Sequence, residues 1–125
     1  MRNLVNHNST SQPYADLAIG GGLIFTSGQI PTSADGTTPE AFADQVTQTL
    51  SNLEQTLQLA GAGLNDLLKV TVYLASLDDF DEYNKIYTAK LGDTGLPTRT
   101  TVEVSRFRGS KRIELEAVAV APPTK

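Results

Sequence analysis

Cysteine is absent from this chain of 125 residues, histidine occurs once, at His7, and positive charge is in deficit, with 10 Lys and Arg against 14 Asp and Glu. The first absence excludes a disulfide framework, a thiolate nucleophile and a zinc–thiolate site; with a single imidazole, a histidine-rich metal site is excluded as well. Long apolar runs are also missing. Nothing approaches the roughly 20 consecutive residues of a membrane helix, and Met1-Arg2-Asn3-Leu4-Val5-Asn6 lacks the apolar core of a signal peptide, so a cytoplasmic protein is expected. A net charge of −4 repels a polyanion over most of the surface and makes nucleic acid an unfavourable partner. Chemistry here has to use carboxylate, hydroxyl, amide and guanidinium groups.

What is present is an ordinary globular composition, 39% hydrophobic and 19% charged, over a length that makes one domain, residues 1–125, with a real core. The basic residues are unevenly placed: Arg99, Arg106, Arg108, Lys111 and Arg112 fall within 14 positions, a local patch suited to a small anion. No repeat, linker or low-complexity stretch interrupts the chain.

The short apolar runs Leu17-Ala18-Ile19 and Leu23-Ile24-Phe25-Thr26-Ser27 flank Gly20-Gly21-Gly22, which predicts a hairpin whose turn needs positive φ. Ser, Thr, Asp and Gly dominate residues 32–38, a loop. A helix is expected next, opened by Thr37 and Glu40 at capping-box spacing with Pro39 in its first turn. Phe42, Val46, Leu50, Leu53, Leu57 and Ala60 would face inward, and Gly61 would end it. Leu68, Val70, Val72 and Leu74 alternate with more polar residues, the period of a half-buried strand. A second helix is expected from Asp79, with Glu82 at the capping-box position, Phe80, Tyr83, Ile86, Tyr87 and Leu91 inward, and a stop at Gly92. Two strands follow: one from Leu96-Pro97-Thr98-Arg99 through Val104, and Ile113-Glu114-Leu115-Glu116-Ala117-Val118-Ala119. The last has apolar residues on both faces, since Val118 and Val120 oppose Ala117 and Ala119. Two helices cover only one side of a sheet, so burial of the other implies an oligomer.

These last strands carry the candidate chemistry. Arg99, at a strand opening, offers a planar fork of donors to a carboxylate, or else pairs with Glu103 or Asp93 as a surface arginine would. Glu114, between Ile113 and Leu115, is a candidate for proton transfer within reach of Arg99; Glu116 shares its phase, and both could be solvated edge residues. Tyr14, Ser27 and Asn84 gain meaning only if the fold brings them together. The triple glycine fits neither a dinucleotide fingerprint nor a phosphate-binding loop, and there is no nucleophile elbow. His7 is expected in a solvated N-terminal segment.

Taken together, Pro13-Tyr14, Thr26-Ser27-Gly28-Gln29-Ile30-Pro31, Lys69-Val70-Thr71-Val72-Tyr73-Leu74, Asp79-Phe80 with Tyr83-Asn84, Pro97-Thr98-Arg99 and the strand at 113–119 resemble the reactive intermediate deaminase family (RidA or YjgF, also described as L-PSP endoribonuclease or translation inhibitor). The resemblance runs nearly end to end. It implies an α+β, chorismate-mutase-like fold, a mixed sheet covered on one face by two helices, and a homotrimer with an inner β-barrel and a ligand site in each cleft between subunits. It further implies hydrolysis of enamine or imine intermediates of the 2-aminoacrylate type to a 2-keto acid and ammonia, without any cofactor. Arg99 would grip the substrate carboxylate and Glu114 would hold and activate the water. Tyr14, Ser27, Gly28, Asn84 and Thr101 would line the pocket. Four places depart from the family pattern: Gln12 where glycine is usual, Asp16 for a frequent glutamine, Thr101 where a cysteine often stands, and Phe107-Arg108 for Leu-Pro. An endoribonuclease, or a non-catalytic module that binds small carboxylates, is the competing reading.

Overall fold

The computed structural model describes residues 1–7 and 12–123. Six strands, β1 (Asn3–Val5), β2 (Leu17–Gly20), β3 (Leu23–Thr26), β4 (Leu67–Leu74), β5 (Thr98–Glu103) and β6 (Ile113–Val120), form one sheet in the order β1-β2-β3-β6-β4-β5. Every neighbouring pair is antiparallel except β4 and β5, which are parallel. Parallel neighbours need a long crossover, and α2 (Phe80–Leu91) provides it. The other helix, α1 (Phe42–Gln58), crosses between β3 and β4. No helix among the described residues is long and apolar enough to span a membrane.

Alternation decides what is buried. On β6, Ile113, Leu115, Ala117 and Ala119 point beneath the helices and are buried, as are Val70, Val72 and Leu74 beside them on β4. Against them pack Phe42, Val46, Leu50, Leu53 and Leu57 of α1 and Tyr83, Tyr87 and Leu91 of α2, all at helical spacing. The opposite face has no such cover in one chain. Leu4, Phe25, Leu68, Val102 and Val120 are all at least 40% exposed, so the burial expected on both sides of β6 is met on one side only.

The hairpin forms as expected: Gly20 pairs with Leu23 and the two-residue turn between them has positive φ at both Gly21 and Gly22. Both helix openings differ from expectation. Thr37 is held by Asp35, whose carboxylate accepts from the Thr37 amide and hydroxyl, so this local turn takes the groups a capping box would use. The helix begins later, with Ala41 as an N-cap that makes no side-chain bond. Asp79 is the N-cap of α2 but caps nothing, because its two oxygens accept from the guanidinium of Arg112, each at 3.1 Å. β1 was not expected; three residues are too short a run for a periodic signal. β5 starts at Thr98 and stops at Glu103, within the longer stretch anticipated.

Candidate active site

β6 places Glu114 opposite Tyr73 of β4. The next strand across, β3, ends at Thr26, but the chain continues beside β6 through Ser27, Gly28 and Gln29. Gln29 donates its amide to the Leu115 carbonyl at 2.6 Å and accepts from the Leu115 amide at 3.0 Å. This brings Gly28 hard against Glu114: a Cβ at position 28 would stand 2.0 Å from Glu114 Oε2. Only glycine lets the carboxylate lie on the backbone there.

The segment is pinned on both sides. Ser27 donates its hydroxyl to the Ala15 carbonyl at 2.6 Å and its amide to the Asp16 carbonyl at 3.0 Å. The buried Gln29 amide group donates to the Ser27 carbonyl and accepts from the Thr56 hydroxyl of α1, each at 3.0 Å. Tyr14, 57% exposed, stands at the rim. Tyr14, Ser27, Gly28 and Glu114 thus line one crevice of about 1060 Å³, with Lys111 and the exposed His7 at its edge. Two departures from the family pattern meet here, since the Gln12 amide donates to the Asp16 carboxylate at 3.0 Å and to the Tyr14 carbonyl at 2.9 Å.

The remaining candidates gather elsewhere. Arg99 lies opposite Val70, on the helix side of the sheet, and its Nη1 donates to Asn84 Oδ1 at 2.7 Å. Its guanidinium carbon is 4.8 Å from the ring centre of Tyr87, 5.3 Å from Tyr83 and 5.7 Å from Phe80. Such distances are those of cation–π contact. The Tyr83 and Thr101 hydroxyls share a hydrogen bond of 2.7 Å. Burial pushes both phenols up, Tyr87 to about 12, so they stay neutral beside the cation. Among the described residues no carboxylate pairs with Arg99. Glu103, one expected partner, accepts instead from the Leu77 amide at 2.9 Å.

Within one chain, then, Arg99 and Glu114 do not meet. Val70 and Tyr73, their partners on β4, are an odd number of residues apart, and side chains alternate along a strand, so the two groups project from opposite faces of the sheet. The expectation that they lie within reach of each other fails for the single protomer. Phe80, Tyr83 and Tyr87, expected to face the core, also cradle Arg99; their spacing of three and four on the helix feeding β5 is the signal in the sequence. The basic patch is also dispersed: Arg112 is paired with Asp79, and Lys111 donates to the Arg108 carbonyl while lying over Phe107.

A two-helix layer on a mixed six-stranded sheet, with one carboxylate crevice and one caged guanidinium, defines a small α+β protein with two separate polar centres. The chain belongs to the RidA/YjgF family. Residues 5–121 match the family model described as Endoribonuclease L-PSP. Over 111 residues the chain is 40% identical to a RutC family protein of Pyrococcus horikoshii, covering 86% of each chain. It is 37% identical to the 2-iminobutanoate/2-iminopropanoate deaminase of Escherichia coli, covering 86% of this chain and 87% of the relative. The crystal structure of Escherichia coli TdcF with bound serine superposes with a TM-score of 0.85 at 33% identity, covering 90% of this chain and 91% of that one.

Proposed function

We propose that this protein hydrolyses 2-imino acids of the 2-iminopropanoate type, and their enamine tautomers, to 2-keto acids and ammonia, in sites built between protomers of a ring-shaped homotrimer. The observation that carries the reading is the division of the seven candidate residues into two complementary halves. Arg99, paired with no carboxylate among the described residues and oriented by Asn84, offers a grip for an anionic carboxylate but no described base beside it. Glu114, on Gly28, offers a proton acceptor, while Lys111 at the edge of its crevice donates to the Arg108 carbonyl and has no planar fork for a carboxylate.

Contact between two different patches is head to tail, and such contacts close into rings when the rotation permits. The uncovered sheet face, with Phe25, Val102 and Val120 exposed, supplies apolar surface for that contact. The TdcF relative was crystallised with serine, a small molecule carrying the carboxylate this reading requires.

Chemically little is asked of the protein. An imine carbon is already electrophilic. Water adds to it with loss of a proton to Glu114, which returns that proton to nitrogen to give the carbinolamine; Glu114 then relays the hydroxyl proton to the amine, and ammonia leaves as the carbonyl closes. Fixing the carboxylate on Arg99 orients the imine beside that water, and acid–base help from Glu114 adds roughly 10²–10⁴-fold. Adding the protein to a serine or threonine dehydratase reaction should speed keto-acid release; an unchanged rate would defeat the reading.

A further inference from the structure

The crevice beside Glu114 is much larger than an alanine-sized imine needs. Beyond Gly28 it continues between the loop at 30–34 and the outer face of α1, where Gln48, Ser51, Asn52, Gln55 and Thr56 line it. These positions recur at helical spacing opposite the buried stripe of Val46, Leu50, Leu53 and Leu57. They form an arm of amides and hydroxyls without a single formal charge. The charged groups of the crevice, Glu114, Asp16 and Lys111, lie outside those five positions.

Part of the arm is structural. Asn52 is saturated, donating to the Ile30 and Thr32 carbonyls at 2.8 Å each and accepting from Gln48 at 2.8 Å. Thr56 is committed to Gln29. Gln48 gives one amide hydrogen to Asn52 and Gln55 gives one to Ser51 Oγ at 3.4 Å, while among the described residues the side-chain carbonyl oxygens of both accept nothing. The Ser51 hydroxyl proton is likewise uncommitted among those bonds.

We propose that this arm is a side-chain subsite for 2-imino acids whose side chain ends in a neutral hydrogen-bonding group, above all a carboxamide. The inference rests on the deaminase reading and names the substrate class of the same site. A carboxamide brings two donors and an acceptor, matching two carbonyl oxygens and a hydroxyl. An aliphatic chain would leave those groups facing hydrocarbon, and a carboxylate would lose hydration without gaining a counter-ion.

The test generates imines in situ with an L-amino-acid oxidase from L-alanine, L-norleucine, L-glutamate and L-glutamine, and follows protein-dependent keto-acid release in competition with semicarbazide. The glutamine imine should exceed the norleucine and glutamate imines in kcat/KM by about tenfold, the equivalent of one net hydrogen bond. Gln48→Leu with Gln55→Leu, both on an outward helix face, should bring that ratio close to one. Equal or better turnover of norleucine or glutamate imines, or a ratio unmoved by the double substitution, overturns the subsite. If no imine is turned over, 2-iminopropanoate included, the deaminase reading falls instead. Calorimetric titration then decides the subsite alone: tenfold tighter binding of L-glutamine than of L-norleucine keeps it, and equal binding removes it.

Discussion

Glu114 Oε2 occupies the space that a side chain at Gly28 would need, 2.0 Å from where its Cβ would stand. The clash is with the far end of a flexible side chain, so Gly28→Ala is resolved by swinging the carboxylate away rather than by moving backbone. Its stability should stay within about 1 kcal/mol of wild type, since the alanine also restricts the unfolded chain. Turnover of 2-iminopropanoate should nonetheless fall by roughly 10- to 100-fold as the base leaves its place. Urea melts and initial rates separate the two effects, and full activity in Gly28→Ala would show that the carboxylate position is irrelevant.

Arg99→Ala removes a charge-assisted partner worth roughly 1.5–3 kcal/mol, so KM should rise by one to two orders of magnitude. Arg99→Lys should recover little. An ammonium has neither the planar fork that Asn84 orients nor the flat face that stacks between Tyr83 and Tyr87. Steady-state kinetics of both variants, with an unaltered circular dichroism spectrum, check this.

Because Arg99 and Glu114 face opposite ways, two variants impaired at substrate concentrations below the wild-type KM should rescue one another. If the protein assembles as the proposed trimer, Arg99→Ala and Glu114→Gln, unfolded together and refolded, regain intact sites wherever an Arg99-bearing protomer meets a Glu114-bearing neighbour in the right order. Random mixing gives about a quarter of wild-type activity. A site contained in one chain would give none.

Tyr87 is buried, and its hydroxyl has no hydrogen-bond partner among the described residues. Tyr87→Phe keeps the ring over Arg99 and removes an unsatisfied group, so it should be neutral or stabilising by up to about 2 kcal/mol. Burial raises this phenol from the usual 10 to about 12. A raised folded-state value means that its contribution to stability is complete below pH 10 and lost as pH climbs toward 12. The phenylalanine variant should therefore unfold less steeply across that window in alkaline melts.

The elements with strong periodicity were legible: the glycine hairpin, the apolar stripes of both helices, the alternation of β6, and that of β4 from Val70 onward; before it, a register shift between Leu67 and Lys69 buries Leu67 and exposes Leu68, which the alternation had placed with Val70. Of the candidate site residues, Tyr14, Ser27, Gly28 and Glu114 share a crevice, and Asn84 and Thr101 gather with Arg99 and Tyr83, which gives the proposed site its two groupings. What was hidden was their relation to each other. β5 and β6 are consecutive in the chain, yet β4 lies between them in the sheet. Which face Arg99 shares with which residue of β6 depends on two registers at once, and no local pattern encodes either. The caps failed for a similar reason. Asp79 has the right position for a cap, but Arg112, 33 residues away, competes for its oxygens and wins.

The odd spacing of Val70 and Tyr73 on the central strand has a genetic corollary. No point substitution can bring the guanidinium and the carboxylate of one protomer onto a common surface, since replacing a side chain leaves the pleat untouched. A single-codon insertion or deletion between those two positions would reverse the parity. Such a change would also turn half of β4's buried residues outward, so a self-sufficient protomer is closed to this architecture by the same strand that builds its core.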